Sequence, residues 1–191
     1  MTTEAAADGR RARGERRRAE LIAATLRVVE AGGVAGVTHR AVAREAGVPA
    51  SSAVYHFATL DDLLVAALTS ATDTYVEQLH AMARQHEDVP AALAGLVADG
   101  AVTDRRRALA ECELTLLAVR RPALRPVVRR YLTALTEAVA RCTGDPTAVR
   151  AAVAAVDGLF LQGLLDERGV EAAEIRAVLT HILGAGEDSG P

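Results

Sequence analysis

The sequence contains no Lys, no Asn and no Trp, and it has only five aromatic residues among 191. Half of the residues are hydrophobic all the same, so the core must be built from Ala, Leu and Val side chains. Ala and Leu are strong helix formers, which favours an all-α fold. Because all 22 basic residues are Arg, every contact that needs a basic side chain must use a guanidinium group.

Cysteines and long apolar runs are scarce too. Cys112 and Cys142 do not stand in a metal-binding spacing such as CxxC. Residues 1–20 are charged and lack the apolar run of a signal peptide. We find no uncharged apolar stretch of about 18 residues that would cross a membrane. We therefore expect a cytoplasmic protein with reduced thiols, without a metal or another cofactor.

Patterns typical of catalytic sites are also missing. The sequence has no nucleophile elbow, no phosphate-binding glycine loop and no HExxH pair. Its five His residues are scattered along the chain. We therefore expect no catalytic residue and no enzyme.

Charge is distributed unevenly along the chain. Residues 1–57 hold nine Arg against six acidic residues, a net charge of +3. Residues 58–191 hold 13 Arg against 19 acidic residues, a net charge of −6. A basic first part on an acidic remainder indicates that the first part meets an anionic partner.

Apolar residues recur at helical spacing, and glycine and proline separate the segments. Thr38 suits a helix N-cap, Asp145 and Pro146 suit the start of another helix, and Gly169 suits a helix end. No segment alternates as a strand would. We predict nine helices, over about residues 15–30, 39–46, 50–56, 60–86, 91–101, 105–120, 124–142, 146–168 and 171–183.

The two ends of the chain differ from its middle. Residues 1–13 are small, polar and rich in Arg, and we expect a flexible Arg-rich arm there. Residues 185–191 are expected to form a flexible tail for the same reason. Between the ends we place a small three-helix domain at 14–58 and a larger helical domain at 59–184.

The most informative stretch is Thr38 to Phe57, THRAVAREAGVPASSAVYHF. Two short helices joined by a tight turn at Gly47 make a helix-turn-helix. Three apolar side chains of this motif can share a small core with Ile22 and Leu26: Val42, Val48 and Ala53. The outer face of the second short helix keeps small or hydrogen-bonding residues that suit the DNA major groove: Ala50, Ser51, Ser52 and Tyr55.

Residues of about 17–68 resemble the DNA-binding domain of the TetR family of bacterial transcriptional regulators. The shared features are a glycine-containing loop after the first helix, Thr38 at the start of the second, an Ala-Gly-Val turn, and an aromatic end of the third helix. The resemblance implies a nine-helix architecture, with 14–58 as the DNA-binding domain and 59–184 as the ligand-binding and dimerisation domain. It implies a repressor that binds palindromic operator DNA as a homodimer and is released by a small molecule.

The resemblance also implies which residues meet DNA. Thr38 and His39 match positions that touch phosphates, and Arg40 matches a position from which a guanidinium can reach a base edge. The groove-facing start of the third helix and its backbone-contacting end are matched by Ala50, Ser51, Ser52, Tyr55 and His56. Simpler roles are open for several of them: Arg40 as a surface residue, His56 as a structural one, and the two serines as partners of helix N–H groups.

Two positions depart from the family pattern. Val54 stands where a Tyr is usual, and Leu60 stands where a Lys is usual, so two phosphate contacts are in doubt. Arginines of the N-terminal arm can compensate along phosphates or in a minor groove: Arg10, Arg11, Arg13, Arg16, Arg17 and Arg18.

The helix at about 146–168 is apolar nearly all round, and the helix at about 171–183 carries an apolar stripe. A helix that is apolar on all sides needs burial on more than one face. We predict a homodimer through these two helices, with a purely internal core helix as the alternative.

Effector-binding candidates in the larger domain are polar residues within apolar segments: Tyr75, Gln78, Glu113, Tyr131, Asp157 and Gln162. Glu113 and Asp157 interrupt strongly apolar runs, where a carboxylate is costly unless it is paired. Each either binds a ligand, pairs with an Arg, or caps a packing site between helices. If both face a pocket, a cationic or hydroxyl-bearing ligand is favoured.

Two other functions are compatible with the sequence. One is a DNA-binding activator or architectural protein without a small-molecule ligand. The other is an enzyme or carrier built on a helical bundle, in which the basic domain serves only as part of the fold. Ligand-dependent release from DNA distinguishes the repressor from both.

Overall fold

The computed structural model describes residues 2–85, 88–166 and 168–184. Within these residues the chain forms nine α-helices and no strand, which confirms the predicted all-α fold. Two short 3-10 turns, Val34–Gly36 and Pro122–Leu124, lie between helices. The helices are α1 (Thr2–Gly32), α2 (His39–Glu45), α3 (Ala50–His56), α4 (Leu60–Gln85), α5 (Val89–Thr103), α6 (Arg105–Arg120), α7 (Arg125–Val139), α8 (Pro146–Leu165) and α9 (Ala172–Gly184).

The first helix is longer than the sequence predicted. We expected an irregular arm over residues 1–13, but α1 already begins at Thr2. Ala and Arg are good helix formers, and the one glycine of this segment, Gly9, costs only about 1 kcal/mol, so a helix can form here without apolar periodicity. Ion pairs one turn apart, Arg11 with Glu15 and Arg17 with Glu20, add support. The expected tail at 185–191 lies outside the described residues.

Helix starts follow local side-chain chemistry. The Thr38 hydroxyl accepts a hydrogen bond from the Ala41 N–H at 3.0 Å, and Asp145 caps α8 through the Thr147 N–H at 2.8 Å. At the start of α4, Thr59 and Asp62 exchange two hydrogen bonds of 3.0 Å each, which make a capping box. The Thr59 hydroxyl and the Thr59 backbone N–H both lie beside the Asp62 carboxylate, and hydrogen bonding to them lowers the pKa of Asp62.

The chain divides into two compact units. One comprises Met1–Ala71 together with Ala110–Arg125, and the other comprises Thr72–Leu109 together with Pro126–Pro191. The boundaries therefore pass through α4 and α6 and do not coincide with the predicted division after residue 58. The physical reason is that α4 and α6 are long, and each packs one part of its length in each unit.

The second unit has a core of small and branched apolar side chains, in which α5 packs against both α8 and α9. Its central members are Val76, Leu79, Leu93, Val97, Leu135, Ala138, Ala152, Val156, Ile175 and Leu179. Helix α8 is long and apolar enough to cross a membrane by length and composition, as core helices of globular proteins also are. About a third of its most apolar window is buried in the single chain.

Candidate DNA-binding surface and effector site

The helix-turn-helix has its own small core in the first unit. Val42 of α2 and Ala53 of α3 are fully buried, while Val48, Ile22 and Leu26 are half-buried. The turn uses Gly47 at φ 66°, a left-handed conformation that favours glycine. The predicted core is thus present, with its centre on Val42 and Ala53.

Thr25 is a buried residue that the sequence analysis did not single out. Its side chain is fully buried in α1, and its hydroxyl donates to the Leu21 carbonyl at 2.8 Å. This bond within one helical turn satisfies the hydroxyl without any partner from another element. The sequence signal was its position between the buried residues Leu21 and Val29 on one helical stripe.

The outer surface of α3 is exposed and uncharged. Ala50 and Ser51 are exposed, Ser52 is half-buried, and the Tyr55 side chain is 85% exposed. Val54, next to Tyr55, is 51% exposed. Both side chains are therefore accessible to a partner.

Arg40 and Thr38 are accessible at the start of α2. Both are exposed, and Arg40 lies in the first turn. The Thr38 hydroxyl oxygen accepts the Ala41 N–H, which leaves its own hydrogen free to donate to an oxygen. That donor suits a phosphate.

His39 already has a partner inside the motif. Its Nε2 lies 2.8 Å from the Phe57 carbonyl oxygen, so Nε2 carries the hydrogen and donates it there. This bond joins the start of α2 to the end of α3. A phosphate would meet only Nδ1, which donates solely when the ring is protonated. His39 is therefore better explained as a positioning residue than as a phosphate contact.

The end of α3 is enclosed by aromatic contacts. Phe57 is 2% exposed, and the Arg18 guanidinium lies over its ring, 4.9 Å from the centroid. His56 and Tyr55 meet edge to face with ring centroids 5.2 Å apart. Arg18, predicted as one of the DNA-contacting arginines of the arm, thus holds a cation–π position against the end of α3.

Helix α6 and the residue that follows it contact the two elements that flank the helix-turn-helix in the first unit. The Glu113 carboxylate accepts the Val34 N–H at 2.8 Å, and Arg121 forms an ion pair with Asp61 in the first turn of α4. Glu113 was predicted among the effector residues. The structure places it instead at the N-terminus of the 3-10 turn that follows α1, where the carboxylate satisfies an N–H group without an intrahelical partner.

The other five effector candidates lie in the second unit, and two of them meet. The Tyr131 hydroxyl of α7 donates to the Asp157 carboxylate of α8 at 3.3 Å. Asp157 keeps access to solvent, yet the protein atoms crowding it raise its pKa by desolvation, which the Tyr131 hydrogen bond partly opposes. Desolvation disfavours the ionised form of a carboxyl group, which is why crowding raises its pKa. Gln78 and Gln162 are exposed.

Two aromatic side chains, Tyr75 of α4 and Phe160 of α8, pack against α5 in the same unit. A Cβ atom at Gly100 would lie 3.2 Å from Phe160 Cε2 and 3.8 Å from the Tyr75 hydroxyl, so Gly100 lets both rings approach the helix. Phe160 follows Asp157 by three residues on α8, which places the two on neighbouring positions of one helix face. Phe160 was not among the predicted effector residues, although its spacing from Asp157 is visible in the sequence.

Among the described residues, no group of three or more His, Cys, Asp or Glu side chains is arranged to hold a metal ion.

Comparison with known proteins covers both units. A family model described as "Bacterial regulatory proteins, tetR family" matches residues 21–67, and one described as "Tetracyclin repressor-like, C-terminal domain" matches residues 84–185. The HTH-type transcriptional regulator BetI 2 of Chromohalobacter salexigens is 30% identical over 181 residues, which span 84% of this chain and 83% of the relative.

Solved structures show the same similarity. The multidrug binding protein EbrR complexed with ethidium is 42% identical, with a TM-score of 0.75 over 87% of this chain and 97% of that chain. A TetR family member from Streptomyces coelicolor A3 is also 42% identical, with a TM-score of 0.78 over 87% and 97%. The matched family models, the curated relative and the shared nine-helix architecture agree: the chain belongs to the TetR family of DNA-binding transcriptional regulators.

Proposed function

We propose that this regulator is a repressor that binds palindromic operator DNA as a homodimer and leaves it when an aromatic cation occupies the second unit. The observation that carries the effector class is the crowded carboxylate of Asp157, with the Tyr131 hydroxyl 3.3 Å away and Phe160 on the same helix face. A desolvated carboxylate is costly in its ionised form, and a bound cation offsets that cost.

Aromatic side chains near the site favour a flat ligand. The chain has only five aromatic residues, and three of them lie in the second unit: Tyr75, Tyr131 and Phe160. Rings attract cations through their faces and stack on planar ligands. EbrR, which is 41–42% identical, has been solved with ethidium, malachite green and proflavin, all of them aromatic cations, and ethidium and proflavin have a flat fused-ring system.

The dimer is proposed to form through α8 and α9. Helix α8 is strongly apolar, yet two of its leucines stay accessible in the single chain: Leu161 is 49% exposed and Leu165 is 77% exposed. Two-fold pairing of these helices would cover both leucines and place two copies of α3 on a palindrome, one turn of DNA or about 34–36 Å apart.

Release requires that the effector prefer a conformation whose two recognition helices no longer match that spacing. Helices α4 and α6 each belong to both units, so a change in the second unit can reach the helix-turn-helix through continuous backbone. A regulator of this kind works where the chromosome is, and we place it in the cytoplasm.

DNA contacts are proposed for the exposed or half-buried side chains of α2, α3 and their flanks: Thr38, Arg40, Ala50, Ser51, Ser52, Tyr55 and His56. Arg40 is the one charged side chain among them that can read a base, since a guanidinium fork matches the two acceptors of guanine. His39 contributes by holding α2 against the end of α3.

Replacing Arg40 by Ala should weaken operator binding by about 1–3 kcal/mol and relax the preference at one base pair of each half-site. The measurement is fluorescence anisotropy with a panel of single-base operator variants. Arg44→Ala is the matched control, because Arg44 is an exposed arginine of the same helix. Its loss should change affinity for all variants alike, and an unchanged base preference in Arg40→Ala would overturn the assignment of Arg40.

The whole proposal is tested by a gel shift with DNA taken from immediately upstream of the gene, with excess competitor DNA and increasing ethidium or proflavin. We expect a discrete, competitor-resistant complex that either dye dissolves. Because both dyes also intercalate into DNA, the Asp157→Asn protein is the control, and its complex should resist the dye concentrations that dissolve the wild-type complex. A discrete complex that neither dye affects would contradict the effector class. Diffuse binding that disappears with salt would contradict specific recognition of this DNA.

A further inference from the structure

The segment of α1 before its buried part, residues 9–20, has no role in the core. We call it the N-terminal extension. From residue 11 to residue 20 every residue is exposed or half-buried, and the helix becomes buried only at Leu21. These 12 residues would span about 18 Å at the rise of an α-helix. A helix this long outside the core is free to contact a partner.

The N-terminal extension is strongly basic. It holds six Arg and two Glu, a net charge of +4 in a chain whose overall charge is −3. Arg11 and Arg17 are paired within the helix, with Glu15 at 3.1 Å and Glu20 at 3.3 Å. Arg13 and Arg16 are exposed and take part in none of the ion pairs of the described residues. They are the charges available to a partner.

The extension is fixed relative to the end of the recognition helix α3. Arg18 stacks on the Phe57 ring at 4.9 Å, and Phe57 is held in turn by its N–H to the Ala53 carbonyl at 2.9 Å and by His39 at its own carbonyl. The contact between Arg18 and Phe57 therefore fixes the position of the N-terminal extension beside the end of α3.

The outer surface of α3 supplies no cation, because its exposed residues are Ala, Ser, Val and Tyr. Phosphate neutralisation provides a large share of the affinity of DNA-binding proteins, so basic side chains must come from elsewhere in the first unit. A lipid surface fits the extension poorly as a partner: its apolar residues are only Ala12 and Ala19, whereas membrane-surface helices carry a large apolar face.

We propose that the N-terminal extension is a second DNA-binding element, in which Arg13 and Arg16 contact backbone phosphates beside the bases that α3 faces. Arg18 is the positioning residue, because it orients the extension by stacking on Phe57. The inference rests on the proposed function, since it requires that the protein bind DNA through α3.

The test compares Arg13→Ala/Arg16→Ala with the control Arg84→Ala/Arg129→Ala, which removes two exposed arginines from the second unit. Binding to the duplex from immediately upstream of the gene is measured by anisotropy at several salt concentrations. A dimer would lose four phosphate contacts. The slope of log K against log salt should therefore become shallower by about 3–4, and affinity near 0.15 M salt should fall by about 10- to 100-fold. The control should keep the wild-type slope.

A second variant, Gly14→Pro, interrupts the helix, because proline has no N–H and its ring clashes with the carbonyl four residues earlier. A Cβ at Gly14 meets no other part of the protein within 4 Å. This variant should reproduce the shallower salt slope while thermal unfolding of the protein stays unchanged. Equal slopes for wild type, Arg13→Ala/Arg16→Ala and Gly14→Pro would overturn the role of the extension alone. Failure of the wild-type protein to form any competitor-resistant complex with the duplex would overturn the proposed function and this inference together.

Discussion

Replacing Gly33 by Ala should lower the free energy of unfolding by about 2–4 kcal/mol, one of the largest single effects that we expect. Gly33 has φ 74° and ψ 170°, a backbone region that is almost exclusive to glycine. An added Cβ would lie 3.0 Å from Glu113 Oε2 and would push that carboxylate away from the Val34 N–H. Urea unfolding followed by circular dichroism measures the loss.

Gly36→Ala is the matched control three residues further on. A Cβ there meets nothing within 4 Å, and Gly36 is not among the glycines with positive φ. Its free energy of unfolding should stay within about 0.5 kcal/mol of the wild-type value. A double variant with Glu113→Ala separates the two causes: backbone strain persists in it, whereas displacement of Glu113 no longer contributes. Equal stability of Gly33→Ala and Gly36→Ala would contradict the strained conformation.

The same site shows what the sequence could not predict about Glu113. A carboxylate inside an apolar run indicates a group that needs a partner, and Glu113 has one. Its partner, Val34, is 79 residues away and is a backbone N–H group, which carries no signature in the sequence. Only the path of α6 beside the turn after α1 brings the Glu113 carboxylate to the Val34 N–H group.

Helix positions were predictable because their signals are local. Thr38 and Asp145 each cap the helix that their side-chain chemistry predicted. The start of α1 was mispredicted for the opposite reason. We took missing apolar periodicity as missing helix, but periodicity reports burial of a face, and good helix formers continue a helix that has no buried face.

The candidate site residues also divide into those that local sequence signals indicate and those that depend on contacts between distant parts of the chain. Residue type and motif position indicated Arg40, Ser51 and Tyr55, whose exposure agrees with contact to DNA. His39 was predicted from motif position as a phosphate contact, yet the Phe57 carbonyl takes its Nε2–H. In the second unit, Phe160 approaches Gly100 from 60 positions away, and a contact between separate helices leaves no periodic trace in the sequence.

Replacing Asp157 by Asn should weaken the binding of ethidium and proflavin by about 2–4 kcal/mol, or roughly 30- to 1000-fold. Asn has the shape of Asp and can still accept the Tyr131 hydroxyl, so the change removes the charge while keeping the contact. Glu171→Gln is the control, because it removes an exposed carboxylate of the same unit. Its dye affinity, measured by calorimetry, should stay within about twofold of wild type. A neutral planar compound of similar size should not distinguish Asp157→Asn from wild type.

The pH dependence of dye binding tests the charge of Asp157 itself. Desolvation by the surrounding protein raises the pKa of this carboxyl above its ordinary value of 3.8, although the Tyr131 hydrogen bond opposes the shift. A cation binds the ionised form, so wild-type affinity should be constant above the raised pKa and fall as the pH drops through it. The Asp157→Asn curve should lack this step. The two curves should converge at low pH, where Asp157 of the wild type is protonated and as neutral as the Asn that replaces it in the variant. A wild-type curve without the step would mean that the dyes bind away from Asp157, because desolvation makes the ionised carboxyl costly in the free protein and a cation beside it must relieve that cost.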